Sequence, residues 1–156
     1  VTLVAGYKHS LTLRADGSAE VTGSSTVSGQ SAPEYRRAYR PEATRKSTFE
    51  RAWAQSFPGL TVNEVSLNDT TRLDEDVAMG FRMSIPRYAE VLANAVRFLP
   101  FGTGRTYQQA FAPLAERRFD LVMQSPWVNL FNLRYTLPAG WSVTELPQAV
   151  DAARGY

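Results

Sequence analysis

Residues 77–85 read VAMGFRMSI, and this stretch decides the fold class more than any other part of the chain. Apolar residues occupy every second position from Val77 to Ile85, with small, polar or charged residues between them. Successive side chains of a strand point to opposite faces of a sheet, so the alternation predicts a strand with one buried face. The pattern favours a sheet that covers an apolar core.

A hairpin is predicted nearer the start of the chain, where Leu11 and Leu13 precede Asp16-Gly17 and the alternation resumes at Val21. Asp-Gly between alternating runs is a strong hairpin signal, because glycine tolerates a positive φ. Similar apolar runs predict further strands at 60–67, 91–99, 119–123, 131–137 and 141–146, with a turn at 138–140. The strand at 91–99 is expected to pair with the one at 77–85 through a turn around Pro86. The predicted core comprises Leu11, Leu13, Val21, Phe81, Met83, Leu133 and Tyr135.

A helical insert is predicted at about 31–57. Ser31-Ala32-Pro33-Glu34 has the spacing of a capping box, and Phe49, Trp53 and Phe57 recur every four residues. Strands before and after such an insert indicate an α+β fold, mostly antiparallel. We expect a β-sandwich, immunoglobulin-like or larger, over residues 1–156 as a single domain. Because the chain opens directly on residues typical of a strand, we also expect it to be a fragment of a longer protein.

Composition excludes several kinds of chemistry. The 156 residues include no cysteine, so the chain has no disulfide, no thiolate zinc site and no cysteine nucleophile. The net charge is only +2, whereas a nucleic-acid binder normally has a denser basic surface. No apolar run approaches the ~20 residues that span a membrane. The sequence predicts no cofactor, no metal, no nucleic-acid partner and no membrane span.

Two groups of residues are candidates for contact with a ligand or partner. Trp127 and Trp141 lie near Tyr135 on predicted strands and a turn, where exposed rings would stack on sugars. Core packing is the competing interpretation for such aromatics. The second group is basic and lies on the predicted helix, where a solvated outer face is the competing interpretation. It consists of Arg36, Arg37 and Arg40.

Other chemistry-bearing residues give weaker signals. His9 is the only histidine, and at the start of a strand we expect it to be a surface or edge residue. The acidic run from Asp69 to Asp76 lacks the ligand spacing of a calcium loop, so we expect a solvated loop. No catalytic residue is assigned, and the chain is expected not to be an enzyme.

Several short motifs, taken together, resemble bacterial transglutaminase-like proteins in the region that follows the catalytic core. The resemblance covers roughly residues 10–150. The motifs that carry it are Asp16-Gly17, Gly29-Gln30-Ser31-Ala32 with Arg36, Phe57-Pro58-Gly59, Arg117-Arg118-Phe119-Asp120-Leu121, Pro126-Trp127, Tyr135-Thr136-Leu137-Pro138-Ala139-Gly140-Trp141 and Glu145-Leu146-Pro147.

The resemblance implies a non-catalytic accessory or interaction module beside a cysteine-protease-like catalytic domain of the same parent chain. It also implies a periplasmic or cell-envelope location. One alternative is an autonomous glycan-binding module of the cell envelope, and another is a hydrolase that uses carboxylates. An envelope protein or glycan is a candidate partner. We further expect an unpaired β edge near the C-terminus, which would favour self-association between edge strands.

Overall fold

The computed structural model describes residues 3–101, 116, 118–120, 127–149 and 151. Its helices and strands follow the predicted order, with the helices inserted between the second and third strands. In chain order they are β1 (Leu3–Leu13), β2 (Ala19–Val27), a single 3-10 turn (Gly29–Ser31), α1 (Ala32–Tyr39), α2 (Glu42–Ala54), β3 (Thr61–Leu67), β4 (Val77–Ile85), β5 (Glu90–Val91), β6 (Val96–Arg97) and β7 (Trp127–Thr136).

A five-stranded sheet with the order β3-β4-β2-β1-β7 forms the centre of the fold, and β5 and β6 form a separate two-stranded ribbon. Three of its four pairings are antiparallel, and β7 instead runs parallel to β1, from Leu3 opposite Trp127 to Thr12 opposite Thr136. The fold is thus α+β with a mainly antiparallel sheet, as predicted. A β-sandwich is not confirmed.

The Asp16-Gly17 hairpin is confirmed between β1 and β2. Gly17 has φ 80°, a left-handed conformation that favours glycine. Asp16 Oδ1 accepts hydrogen bonds from the Ser18 amide at 2.9 Å and the Ser18 hydroxyl at 2.6 Å. These bonds lower the pKa of the Asp16 carboxyl. The Gly17 carbonyl accepts the amides of Tyr88 and Ala89, which fixes the segment after β4 to this turn.

One face of the sheet carries the core, and both helices cover it. Alternate residues of β4 from Val77 to Ile85 are buried, as their spacing predicts. Helix α2 packs Phe49 on Phe81 with ring centroids 4.9 Å apart. Of the predicted core residues, five are buried, while Leu133 and Tyr135 are half-buried. The five are Leu11, Leu13, Val21, Phe81 and Met83.

One arginine links the two helices of the insert. The Arg45 guanidinium donates to the carbonyls of Tyr39 and Arg40, which are orphan acceptors at the end of α1. The predicted capping box does not form, because the Ser31 side chain makes no cap hydrogen bond. No helix in the described part of the chain is long and apolar enough to cross a membrane.

Two strand predictions are wrong. Residues 91–99 do not pair with β4; the segment folds back on itself as the β5–β6 ribbon, closed by the Leu92 amide donating to the Ala95 carbonyl at 2.8 Å. Residues 141–146 form no strand and are exposed, although their alternation is regular. Of the predicted strand at 119–123, Phe119 is 87% exposed and in no strand, and 121–123 lie outside the described residues.

Candidate functional site: the open face of the sheet

The face of the sheet opposite the core is polar, and we call it the open face. Its side chains come from the even-numbered residues of β1, β2, β4 and β7, which the register of the paired strands places side by side. Three consecutive rows cross β2, β1 and β7 in the order Thr26–Gly6–Leu130, Ser24–Lys8–Asn132 and Thr22–Ser10–Arg134. These rows therefore carry hydroxyl, amide and cationic side chains, and the pairing of the strands fixes the spacing between them.

A groove of about 390 Å³ lies on the open face above Gly6 and Lys8. Ser24, Thr26 and Asn132 are among the residues that line it. It exists because Gly6 has no side chain: a Cβ placed there would meet nothing within 4 Å. A volume of this size is typical of a small ligand or a few side chains of a partner.

The charges on the open face divide into paired and unpaired groups. Glu64 accepts from Arg82 at 2.6 Å, and Glu20 lies 3.4 Å from Arg14. Glu20 also accepts the Ser84 hydroxyl at 2.8 Å. Among the described residues, neither Lys8 nor Arg134 forms an ion pair. The side of the face that includes β1 and β7 is therefore positive.

Strand β7 forms the edge of the sheet beside this positive region. Val128 and Leu130, on the open face, are 41% and 59% exposed. Phe131, on the other face of β7, is 38% exposed and stacks on Tyr7 with centroids 4.8 Å apart and planes 12° from parallel. No other described strand pairs with the outer edge of β7.

His9 is buried, so the expectation of a surface or edge position is wrong. It lies on β1, between β2 and β7, and is only 3% exposed. Its ring meets Phe81 and Phe101 edge to face, with centroids 5.3 and 5.0 Å away. Neither ring nitrogen has a hydrogen-bond partner among the residues that the structure describes, and burial lowers the pKa of His9 from 6.5 to about 4.

Gly23 makes room for this histidine. A Cβ on Gly23 would lie 2.4 Å from the Phe81 ring and 2.6 Å from His9 Cδ2. Because protonation would place a charge among aromatic rings, the environment favours the neutral form. The arrangement is that of a core residue.

The three arginines predicted as contacts with a ligand or partner lie on α1 or directly after it. Arg36 is held in place, donating to the carbonyls of Arg72 and Glu75, while Arg37 and Arg40 are exposed. Helix α1 belongs to the layer that covers the core, so this basic group lies on the other side of the sheet from the open face.

The predicted aromatic contacts are described only in part. Trp141 is 37% exposed in the segment after β7, and Trp127 begins β7, but its side chain lies outside the described residues. Tyr135 belongs instead to a buried network: its hydroxyl lies 2.7 Å from that of Tyr88 and accepts the Phe101 amide at 2.8 Å. Burial, and then this contact, raise the pKa of Tyr88.

The acidic loop behaves as a solvated turn. Asp69 Oδ1 accepts the amide and hydroxyl of Thr71 at 2.9 and 2.7 Å, which lowers the pKa of the carboxyl. Across the part of the chain that the structure describes, no group of three or more histidine, aspartate or glutamate residues could hold a metal ion.

Sequence reasoning missed the residues that make the groove. Alternation back from Leu11 would place Lys8 on the outer face, but the neighbours Leu130 and Asn132 come from a strand whose partner was not predictable.

No protein-family model matches the chain, and no match was found among curated proteins. The resemblance to transglutaminase-like proteins therefore stays a prediction.

Proposed function

We propose that this chain is a non-catalytic interaction module in which the open face and the edge strand β7 contact a neighbouring domain. The observation that carries the proposal is the asymmetry of the sheet. Helices cover one face, whereas the other combines a groove, unpaired cations and exposed apolar side chains at one edge. Exposed apolar residues beside polar ones are typical of surfaces that become partly buried in a complex.

The partner that we propose is the catalytic domain of a longer parent chain of the transglutaminase-like type, in the periplasm or cell envelope. The motif resemblance supports the family, and the sequence itself supports the accessory role. With no cysteine and with one buried histidine, the chain lacks the thiol–imidazole pair used in such acyl transfer.

A β-sandwich remains the finer proposal for the architecture. Its second layer would share the core face with the two helices, where Val96 of the β5–β6 ribbon and Phe98, which follows it, pack partly buried against the core. The polar open face would then be the outer surface of the sandwich and available to a partner.

Hydrogen exchange tests the proposed function directly. In the isolated chain, those β7 amides that point away from β1 should exchange quickly. In the full-length parent protein they should become protected by at least about tenfold, as expected for amides buried in a contact. Strand β3, at the other edge of the sheet, is the matched control. Equal protection of β3 and β7 would indicate general stabilisation, and no added protection at β7 would contradict the proposal.

A substitution gives a second test. Leu130→Ser should restore fast exchange at β7 in the parent protein, because it removes an apolar group from the contact. Leu73→Ser changes a similarly exposed leucine, 76% accessible, in the loop before β4 and should have no effect.

A glycan-binding module is the second candidate, and the groove is what favours it. Its hydroxyl and amide groups suit a polyhydroxylated ligand. Two of its lining residues, Tyr7 and Phe131, are aromatic, although strand register directs their side chains to the opposite face of the sheet. Binding of a neutral oligosaccharide at the groove, without β7 protection in the parent, would support this alternative.

A further inference from the structure

The unpaired cations of the open face form a diagonal pair. Lys8 and Arg134 lie on adjacent strands and in adjacent rows, since Lys8 is opposite Asn132 and Arg134 is opposite Ser10. One strand spacing and one two-residue step along a strand place their Cα atoms about 8 Å apart. Both side chains are exposed, so each can reach a carboxylate held above the sheet.

An apolar position lies one row before Lys8. The space above Gly6 is empty, and it is bounded on one side by Leu130, which is 59% exposed. A partner side chain placed over Gly6 would cover Leu130 and displace water from it. Along the sheet, the groove therefore has one apolar position followed by two cationic positions.

We propose that the open face binds an extended acidic segment of the partner, with an apolar residue followed by carboxylates at the second and fourth positions after it. This rests on the proposed function and names the chemistry of the contact. Alternate residues of an extended chain are about 6.6 Å apart, which equals the spacing between rows of the sheet. The apolar side chain would lie over Gly6, and the two carboxylates would pair with Lys8 and Arg134.

The straight line from Gly6 to Arg134 is inclined to β1 and passes about 2.4 Å to one side of Lys8, within reach of its side chain. It moves sideways by one strand, about 4.8 Å, over two rows, about 13 Å, which is an inclination of about 20°. Extended chains packed face to face on a sheet adopt inclinations within about 30°. An extended segment can therefore satisfy all three positions without bending.

Titration of the chain with synthetic peptides, followed by NMR, tests the inference. The probe is a blocked heptapeptide with leucine at its second position, glutamate at its fourth and sixth positions, and threonine elsewhere. The control peptide has the same composition with its glutamates adjacent. Shifts should be confined to β1, β2 and β7, and the control should bind about three- to fivefold more weakly, because only one carboxylate can reach its cation.

Variants with matched charge separate a specific site from general attraction. Lys8→Ala and Arg134→Ala should each weaken binding of the probe about three- to fivefold. Lys46→Ala and Arg37→Ala remove the same charges from exposed positions on the helices and should change it by less than about twofold. Equal losses in all four variants would overturn the proposal.

Gly6→Val tests the apolar position. Nothing lies within 4 Å of the added Cβ, and valine suits a strand, so the variant should fold with an unchanged or higher melting temperature. Its side chain would fill the space that the peptide leucine needs, and binding should fall at least about fivefold. A stable variant with unchanged binding would contradict the proposed position of the segment.

Two outcomes distinguish this inference from the proposed function. If a polygalacturonate tetramer binds in a Lys8-dependent way and the peptide does not, the groove takes an acidic saccharide and the inference is wrong. If neither ligand binds, while β7 is protected in the parent protein, the inference also fails but the interaction module stands.

Discussion

Replacement of the buried histidine should change how stability depends on pH. His9 lies among aromatic rings with both nitrogens unpaired, and its pKa is about 4 in the folded chain, against 6.5 for an unperturbed histidine. The folded state therefore binds this proton less readily than the unfolded state does. The stabilising contribution of neutral His9 is complete above about pH 6.5 and is lost as pH falls toward 4.

The magnitude follows from the two pKa values. Between pH 7.5 and pH 5, the unfolded histidine becomes protonated and the folded one stays mostly neutral, which costs about 2 kcal/mol of unfolding free energy. His9→Phe removes this contribution. It also removes two buried nitrogens that lack partners, so the variant should be more stable than the parent sequence by about 1 kcal/mol at pH 7.5.

Urea denaturation at the two pH values measures both effects. The stability of the parent chain should fall by about 2 kcal/mol more than that of His9→Phe on going from pH 7.5 to pH 5. The carboxylates contribute equally to the pH dependence of stability in both proteins, so the difference between the two proteins isolates the contribution of His9. Ser10→Ala, a change at the neighbouring exposed position of β1, should leave the pH dependence unaltered. Parallel pH profiles for His9→Phe and the parent chain would refute the reasoning.

Four further substitutions test the packing. Gly23→Ala should cost about 2 kcal/mol or more, because its Cβ would overlap two rings, whereas Gly6→Ala should be neutral or stabilising; equal thermal melts for the two would contradict the assigned faces. Trp53→Ala should cost about 2–3 kcal/mol in urea denaturation, since the half-buried ring stacks on Phe101 at 4.8 Å, and a loss below about 1 kcal/mol would make α2 peripheral. Tyr135→Phe should cost about 1–2 kcal/mol by leaving the Phe101 amide without its acceptor, and an unchanged melting temperature would show that this bond is dispensable.

Local patterns predicted the parts of the fold that local chemistry determines. The alternation of β4 and the Asp16-Gly17 turn each lie within one short stretch, and so does the Phe49 stripe of α2. Residues 91–99 were misread because apolar character does not reveal whether a run pairs with a neighbour or folds back on itself. The alternation that buries Leu11 and Leu13 also places His9 inward, so the sequence contains a signal for its burial. The expectation of a surface position rested instead on its place at the start of the predicted strand.

The site was less predictable than the fold. Lys8, Gly6 and Arg134 become neighbours only because β7 lies parallel to β1, and a parallel pairing leaves no turn signal between the two strands. The expected contacts on α1 and at Trp141 were chosen for residue type alone. Surface position depends on which layer each segment joins, and residue type does not reveal that.

The same β1–β7 pairing has a consequence for the order of folding. Its partners, such as Leu3 and Trp127, are roughly 120 residues apart, whereas the β1–β2 and β3–β4 contacts close over much shorter loops. Loop closure should make β7 the last strand to join the sheet. During synthesis on the ribosome, β1 would therefore remain an open edge until nearly the whole described chain has emerged. The exposed edge of β1 makes the nascent chain prone to pairing with other strands. A chaperone would act at that stage, and in refolding experiments the same exposure would give a slow phase that depends on protein concentration.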